Sequence, residues 1–149
     1  MKSLSLPTIA LLAGSLIFGM SPVLAKPPEI NPCALISKAE AVSVLGEIKG
    51  EPKADIGLLN EKECRYETVQ GQNLVVRIHG ADRWGLKKGE VSEMKPAAIA
   101  GLGDEAFSVQ RGTTCEIYVR KGEVIVEVNA TMSRDVAQKF AALIVSRLK

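Results

Sequence analysis

Three consecutive segments in the second half of the chain place apolar residues at every second position. They are EAFSVQ at 105–110, TTCEIYVR at 113–120 and EVIVEVNA at 123–130. Successive side chains of a β-strand point to opposite faces, so this period of two is typical of strands with one buried face. Arg111-Gly112 and Lys121-Gly122 lie where turns are needed. The pattern predicts a three-stranded antiparallel meander over residues 105–130.

Two upstream segments, 62–69 and 73–80, alternate in the same way and are separated by the polar residues 70–72. They are predicted to form a hairpin. Residues 47–61 contain glycine and proline without a clean period, so we assign them to a loop. The polar segment 81–96 fits either a helical turn or a long loop over the sheet.

Two amphipathic helices flank the predicted strands. Ser37 and Glu40 form a capping box, which predicts a short helix over about 38–45. Ser133 caps a second helix from about Arg134 to Leu148, whose apolar residues form one stripe.

The order of these elements predicts an α+β fold. We expect a single antiparallel sheet of about five strands, with the short N-terminal helix and the C-terminal helix packed on its apolar face. The other face is expected to be solvated. Residues 37–149 would form this single domain, and the proline-rich residues 26–36 an extended lead-in.

The first 25 residues resemble a secretory signal peptide. Lys2 supplies the positive charge, residues 11–20 supply the apolar core, and Val23-Leu24-Ala25 predicts cleavage after Ala25. An uncleaved membrane anchor is the alternative, although Pro7 and Gly14 interrupt the apolar stretch. We therefore expect a periplasmic or secreted protein that contacts the membrane only through this segment before cleavage.

Charge does not identify a partner. The chain carries a net charge of +2, of which Lys2 supplies one unit, so the mature chain carries +1. The sequence contains no run of basic residues that would suggest nucleic-acid binding. We therefore expect no nucleic-acid partner.

Gly101-Leu102-Gly103-Asp104-Glu105-Ala106 satisfies the G-x-G-x-x-G/A dinucleotide-binding pattern. That pattern binds a nucleotide only where the glycines follow a parallel strand and open a helix. The residues after Gly103 alternate as a strand instead. We interpret the glycines as a tight turn and expect no cofactor.

Export would place the three cysteines, Cys33, Cys64 and Cys115, where disulfides persist. From the residues alone, Cys33–Cys64, Cys64–Cys115 and the absence of an intramolecular bridge all remain open. Cys115 alternates with Ile117 and Val119, which favours a small buried core residue.

The segment Pro32-Cys33-Ala34-Leu35-Ile36-Ser37 resembles the Pro-Cys-x-Leu-Leu-Thr opening of a family of small exported bacterial proteins, many of them lipoproteins, with no assigned function. Cys64-Arg65-Tyr66 and the turn at 101–106 fit the same family. The resemblance implies an antiparallel α+β fold, which could be related to the Mog1/PsbP-like sandwiches, and a disulfide between Cys33 and Cys64. Lys26 stands where the lipid-attachment cysteine would be, so lipid anchoring is not carried over.

The sequence offers no convincing catalytic or metal-binding group. His79 is the only histidine and is expected on the solvated face, and one histidine does not assemble a zinc site. The carboxylate pairs Glu63/Glu67 and Glu123/Glu127 are expected on the same face. There the neighbouring arginines Arg65, Arg77 and Arg120 would form cross-strand ion pairs with them.

Segment 81–96 supplies the candidate partner-binding residues, Arg83, Trp84 and Lys87. Trp84 either folds back to cap the core, which is favoured, or stays exposed as an anchor for a partner. The resulting hypothesis is a non-enzymatic binding or accessory protein of the bacterial cell envelope, acting on an extracytoplasmic protein or envelope ligand. A hydrolase using carboxylates in a cleft is the alternative, and a structural or stress-related envelope protein is a third possibility.

Overall fold

The computed structural model describes residues 29–57 and 61–148, and the predicted signal peptide lies outside these ranges. The helices are α1 (Pro32–Leu35), α2 (Lys38–Leu45), α3 (Trp84–Glu90) and α4 (Arg134–Val145). Two 3-10 turns, Ala81–Arg83 and Ser92–Met94, flank α3. The strands are β1 (Lys53–Ile56), β2 (Lys62–Glu67), β3 (Asn73–Gly80), β4 (Ala97–Ala98), β5 (Glu105–Arg111), β6 (Thr114–Lys121) and β7 (Val124–Ala130).

The strands form one open sheet in the order β1-β2-β3-β7-β6-β5-β4. Every neighbouring pair is antiparallel. The predicted hairpin and meander are therefore both present, and β7 returns to pair with β3 at the centre of the sheet. The class is α+β, as predicted.

The expected strand count was wrong, because the described residues form seven strands instead of about five. β1 lies inside the stretch that we assigned to a loop, and all four of its residues are exposed. An edge strand without a buried face has no apolar period to detect. β4 contains only two residues, which is too short for any periodicity.

The expectation of one solvated face was also wrong. α2 and α4 cover one face, where the main core contains Tyr66, Val76 and Phe140. Residues 81–94, which we call the cover segment, lie over the other face and bury a second apolar cluster around Trp84, Phe107 and Tyr118. Of the polar residues in the alternating pattern, Glu63, His79 and Glu127 are buried on this face. They pair with other polar side chains instead of with water.

Both predicted helix starts are confirmed. In the capping box of α2, the Glu40 backbone N–H donates to Ser37 Oγ and the Ser37 backbone N–H donates to Glu40 Oε2. Ser133 Oγ accepts from the Val136 backbone N–H at the start of α4. The expected extended lead-in differs at its end, where Pro32–Leu35 form the helical turn α1, capped by Asn31.

Cys33 and Cys64 form a disulfide, with their Cα atoms 5.1 Å apart. The bridge joins α1 to β2 and confirms the pairing that the resemblance implied. Cys115 is a free, buried thiol on the core face. In residues 29–57 and 61–148, no helix is long and apolar enough to cross a membrane.

The glycine motif at 101–106 is a structural turn. Gly103 has a φ of +65°, and a Cβ there would lie 2.5 Å from the carbonyl oxygen of Arg120. Asp104 Oδ2 accepts a 2.6 Å hydrogen bond from the Gly122 backbone N–H. The motif thus docks the start of β5 against the turn between β6 and β7, and a strand follows it, as the alternation predicted.

Candidate functional site

A row of facing residues crosses the sheet beneath the cover segment. Register pairs Asp55 with Glu63, Glu63 with Arg77, Arg77 with Glu127, and Glu127 with Tyr118. Cross-strand neighbours on one face are close enough to interact directly. The period of two along β2, β3 and β7 therefore brings acidic and basic residues together on the covered face.

We call His79 and the six charged side chains around it the charged layer. These six are Glu61, Glu63, Arg77, Arg83, Lys87 and Glu127. Three are acidic and three are basic, so their charges balance before the charge of His79 is counted.

Arg77 bridges two carboxylates. Its Nε donates to Glu63 Oε2 at 2.9 Å, and its Nη1 donates to Glu127 Oε1 at 2.8 Å. Arg65 makes a second contact to Glu63, at 3.1 Å. The expected cross-strand ion pairs of Glu63 and Glu127 are therefore present, but these two carboxylates are buried instead of solvated.

Glu127 has four partners. Its Oε1 accepts from Arg77 and from Asn129 Nδ2, while its Oε2 lies 2.9 Å from His79 Nε2 and 3.0 Å from Lys87 Nζ. Burial raises the pKa of Glu127, but the hydrogen bond to His79 and the charge of Lys87 outweigh it and hold the pKa well below its usual range. Glu127 is therefore ionised at neutral pH.

His79 is buried, which corrects its predicted place on a solvated face. Its Nδ1 lies 3.2 Å from Glu61 Oε1, although the two atoms are not aligned for a hydrogen bond. The ionised Glu127 carboxylate can only accept, so His79 Nε2 is the donor in their contact.

The three candidate partner-binding residues all contact the sheet side. Arg83 Nη1 donates to Glu61 Oε1 at 2.6 Å, and Lys87 Nζ approaches Glu127. Trp84 is buried and donates from Nε1 to Glu105 Oε2 at 2.7 Å. These side chains hold the cover segment in place, and their role as direct partner contacts stays a prediction.

A second, smaller cluster surrounds Trp84. Lys88 Nζ donates to Glu105 Oε1 at 2.7 Å, and the Arg120 guanidinium lies 5.9 Å from the centre of the Trp84 ring. The hydrogen bonds from Lys88 and Trp84 lower the pKa of Glu105. Glu105 is thus a fixed acceptor that anchors α3 to β5.

In the described part of the chain, clefts lie at opposite edges of the sheet. A cleft of about 490 Å³ lies between Asn31-Pro32 and the β1–β2 edge, where Asp55 and Glu63 both line it. A second, of about 390 Å³, lies between Lys88 and Phe107. In the first cleft, Glu63 is held by two arginines, and Asp55 Oδ1 accepts from the Ile56 backbone N–H. Both carboxylates at the β1–β2 edge are thus already engaged.

Glu61 and Glu105 belong to these clusters although the sequence did not indicate it. Glu61 lies in the stretch assigned to a loop, and Glu105 begins a strand with no sign of its distant partner Trp84. The one available signal was the unusual concentration of charge on the polar positions of strands 62–69 and 73–80.

No protein-family model matches the sequence, and no curated protein matches it. Among solved structures, the chain is similar to the crystal structure of a GTP-binding regulator from Thermotoga maritima. The two share 15% sequence identity, the match covers 78% of this chain and 90% of that chain, and the TM-score is 0.46. A likeness of this size is too weak to support a functional argument.

Proposed function

We propose that the mature chain is a non-enzymatic binding or accessory protein of the bacterial cell envelope, acting outside the cytoplasm on a protein or envelope ligand. The signal-peptide pattern and the Cys33–Cys64 bridge support an oxidising location. The partner surface is the outer side of the cover segment.

The observation that carries the proposal is the pairing of the buried carboxylates. Glu63 and Glu127 are ion-paired to Arg77, and Glu116 is ion-paired to Arg111. A carboxyl acting as a general acid needs a raised pKa, whereas the pKa of Glu127 is lowered. The arrangement therefore supports a structural layer better than the alternative, a carboxylate hydrolase.

The outer side of α3 is the surface available to a partner. Leu86 is 61% exposed there, between the exposed residues Gly85 and Gly89. A Cβ at either glycine would meet nothing within 4 Å, so this side of the helix is bare. A partner can approach its backbone closely.

Site-specific photo-crosslinking in intact cells tests this surface. A photoreactive residue is placed at Leu86 in one variant and at Val69, another exposed apolar residue, in the β2–β3 turn, in the other. The proposal predicts a discrete crosslinked species from position 86 and none from position 69. Equal crosslinking from both positions, or none from position 86, contradicts it.

The location is tested separately. Fractionation followed by mass spectrometry of the chain should find its N-terminus at Lys26 in the extracytoplasmic fraction, with Cys33 and Cys64 protected from alkylation before reduction. Recovery of the chain from the cytosol with both thiols free would overturn the proposed location.

A further inference from the structure

His79 lies between two carboxylates that come from different parts of the chain. Its Nε2 faces Glu127 of β7, and its Nδ1 faces Glu61, which directly precedes β2. Glu127 requires a donor at Nε2, so the charge of the ring is decided at Nδ1. A neutral ring presents a lone pair to the Glu61 carboxylate, and a protonated ring presents an N–H.

Glu61 also holds the cover segment. Its carboxylate accepts from Arg83, which lies in the 3-10 turn that begins this segment. Its backbone carbonyl accepts from the Gly57 N–H at 2.7 Å, which fixes Glu61 to the end of β1. Glu61 is therefore a direct link between the sheet edge and the cover segment.

The other charged groups near His79 have partners of their own. Arg77 binds Glu63 and Glu127, and Lys87 binds Glu127 and Glu90. Glu61 and Glu127 face His79 directly. The titratable and charged groups around these two carboxylates are Glu63, Arg77, Arg83, Lys87 and Tyr118. Among these groups, Glu61 is the one that faces Nδ1. Loss of the proton from Nδ1 therefore changes the attraction between His79 and Glu61 into repulsion.

The cover segment has little helical stability of its own. α3 has seven residues, and two of them, Gly85 and Gly89, have neither a positive φ nor a close neighbour that would require glycine. Each glycine costs a helix about 1 kcal/mol relative to alanine. The position of the segment therefore depends on its contacts with the rest of the domain. The first is the hydrogen bond from the Ala81 backbone N–H to the Glu123 carbonyl, and the first that involves a side chain is Arg83–Glu61.

We propose that the charge of His79 controls how firmly the N-terminal end of the cover segment is held on the sheet. The imidazolium attracts Glu61 and keeps it in place for Arg83, whereas the neutral ring repels Glu61 and weakens the contact. Local opening of residues 81–90 therefore increases when His79 loses its proton. This behaviour does not depend on the proposed function.

Amide hydrogen exchange measured by mass spectrometry tests the proposal in the wild-type chain at pH 5.5 and pH 8, after correction for the intrinsic exchange rate. We expect the opening of residues 81–90 to be about fivefold greater at pH 8 than at pH 5.5. An effect of this size is expected from the loss of one partly exposed charged contact. Peptides from β6 serve as the internal reference. A change of less than twofold, or an equal change in β6, overturns the proposal.

Glu61→Gln is the matched variant, because it keeps the shape of Glu61 and removes the charge that His79 acts on. The pH dependence of opening should disappear in this variant, and NMR of the His79 ring reports its protonation state at both pH values. Persistence of the pH dependence in Glu61→Gln overturns the proposal. So does an NMR titration of the wild-type chain in which His79 keeps one charge state between pH 5 and pH 8.

Discussion

Replacing Glu127 by glutamine should destabilise the chain more than any other change of one carboxylate to its amide on the covered face. The substitution preserves the shape but leaves Arg77 and Lys87 without their shared counter-charge in a buried site. Breaking a buried ion pair costs about 3–5 kcal/mol, and because the amide oxygen still accepts one hydrogen bond we expect about 3 kcal/mol. Urea unfolding followed by the fluorescence of Trp84, the single tryptophan, measures this loss.

Glu123→Gln is the control, because Glu123 lies just before the same strand and is exposed. Its free energy of unfolding should stay within about 0.5 kcal/mol of the wild type. With a urea dependence of about 1.5 kcal/mol per molar, Glu127→Gln should lower the midpoint by about 2 M. A loss of less than 1 kcal/mol in Glu127→Gln would refute the claim that the charged layer stabilises the fold.

The lowered pKa of Glu127 predicts that the free energy of unfolding decreases in acid. The pKa of Glu127 in the folded chain is below its value of about 4.5 in the unfolded chain, so below that pH the unfolded state binds more protons. The contribution of the Glu127 charge to the free energy of unfolding is fully present above about pH 4.5. It is lost as the pH falls further towards the pKa of Glu127 in the folded chain. The stability difference between wild type and Glu127→Gln should therefore shrink as the pH falls below about 4.5.

Three further changes test the fold. Replacing Cys33 and Cys64 by serine opens a loop of 31 residues and should cost about 3.5 kcal/mol in the free energy of unfolding measured with urea; an unchanged midpoint would show that the bridge does not constrain the chain. Gly103→Ala should cost more than about 2 kcal/mol because it adds a clash with a carbonyl oxygen to a positive φ, whereas Gly101→Ala, at a positive φ in open space, should cost about 1 kcal/mol; equal losses would contradict the clash. Ser37→Ala should cost about 1 kcal/mol by thermal unfolding, and no shift in Tm would mean that the capping box is not formed in solution.

The parts of the fold that could be predicted from sequence are those whose signal is local. Alternation located β2, β3 and the meander, and the caps located α2 and α4, because each pattern is complete within one element. β1 could not be found in this way, since Lys53 and Asp55 point to one side and Ala54 and Ile56 to the other, and all four are exposed. An exposed edge strand is defined by its hydrogen bonds to a neighbour, which the local sequence does not record.

The candidate site was harder to predict because the burial of its charged residues depends on the segment that covers them. Arg77 and Glu127 alternate with apolar residues in the same way as on a solvated strand, and only the cover segment makes them interior. The segment itself is polar and contains two glycines, so its helix α3 had no clear periodic signature. Trp84 was the single indication that the segment packs on the sheet, and its burial agrees with the favoured alternative.

The central claim is that the cover segment buries the second face of the sheet, and acrylamide quenching of Trp84 tests it most directly. Trp84 is 7% exposed and is the one tryptophan of the chain, so the emission reports on this contact alone. The structure predicts a quenching constant several-fold below that of the urea-unfolded chain, together with emission at shorter wavelength. A native quenching constant equal to that of the unfolded chain would show that the face is open to solvent.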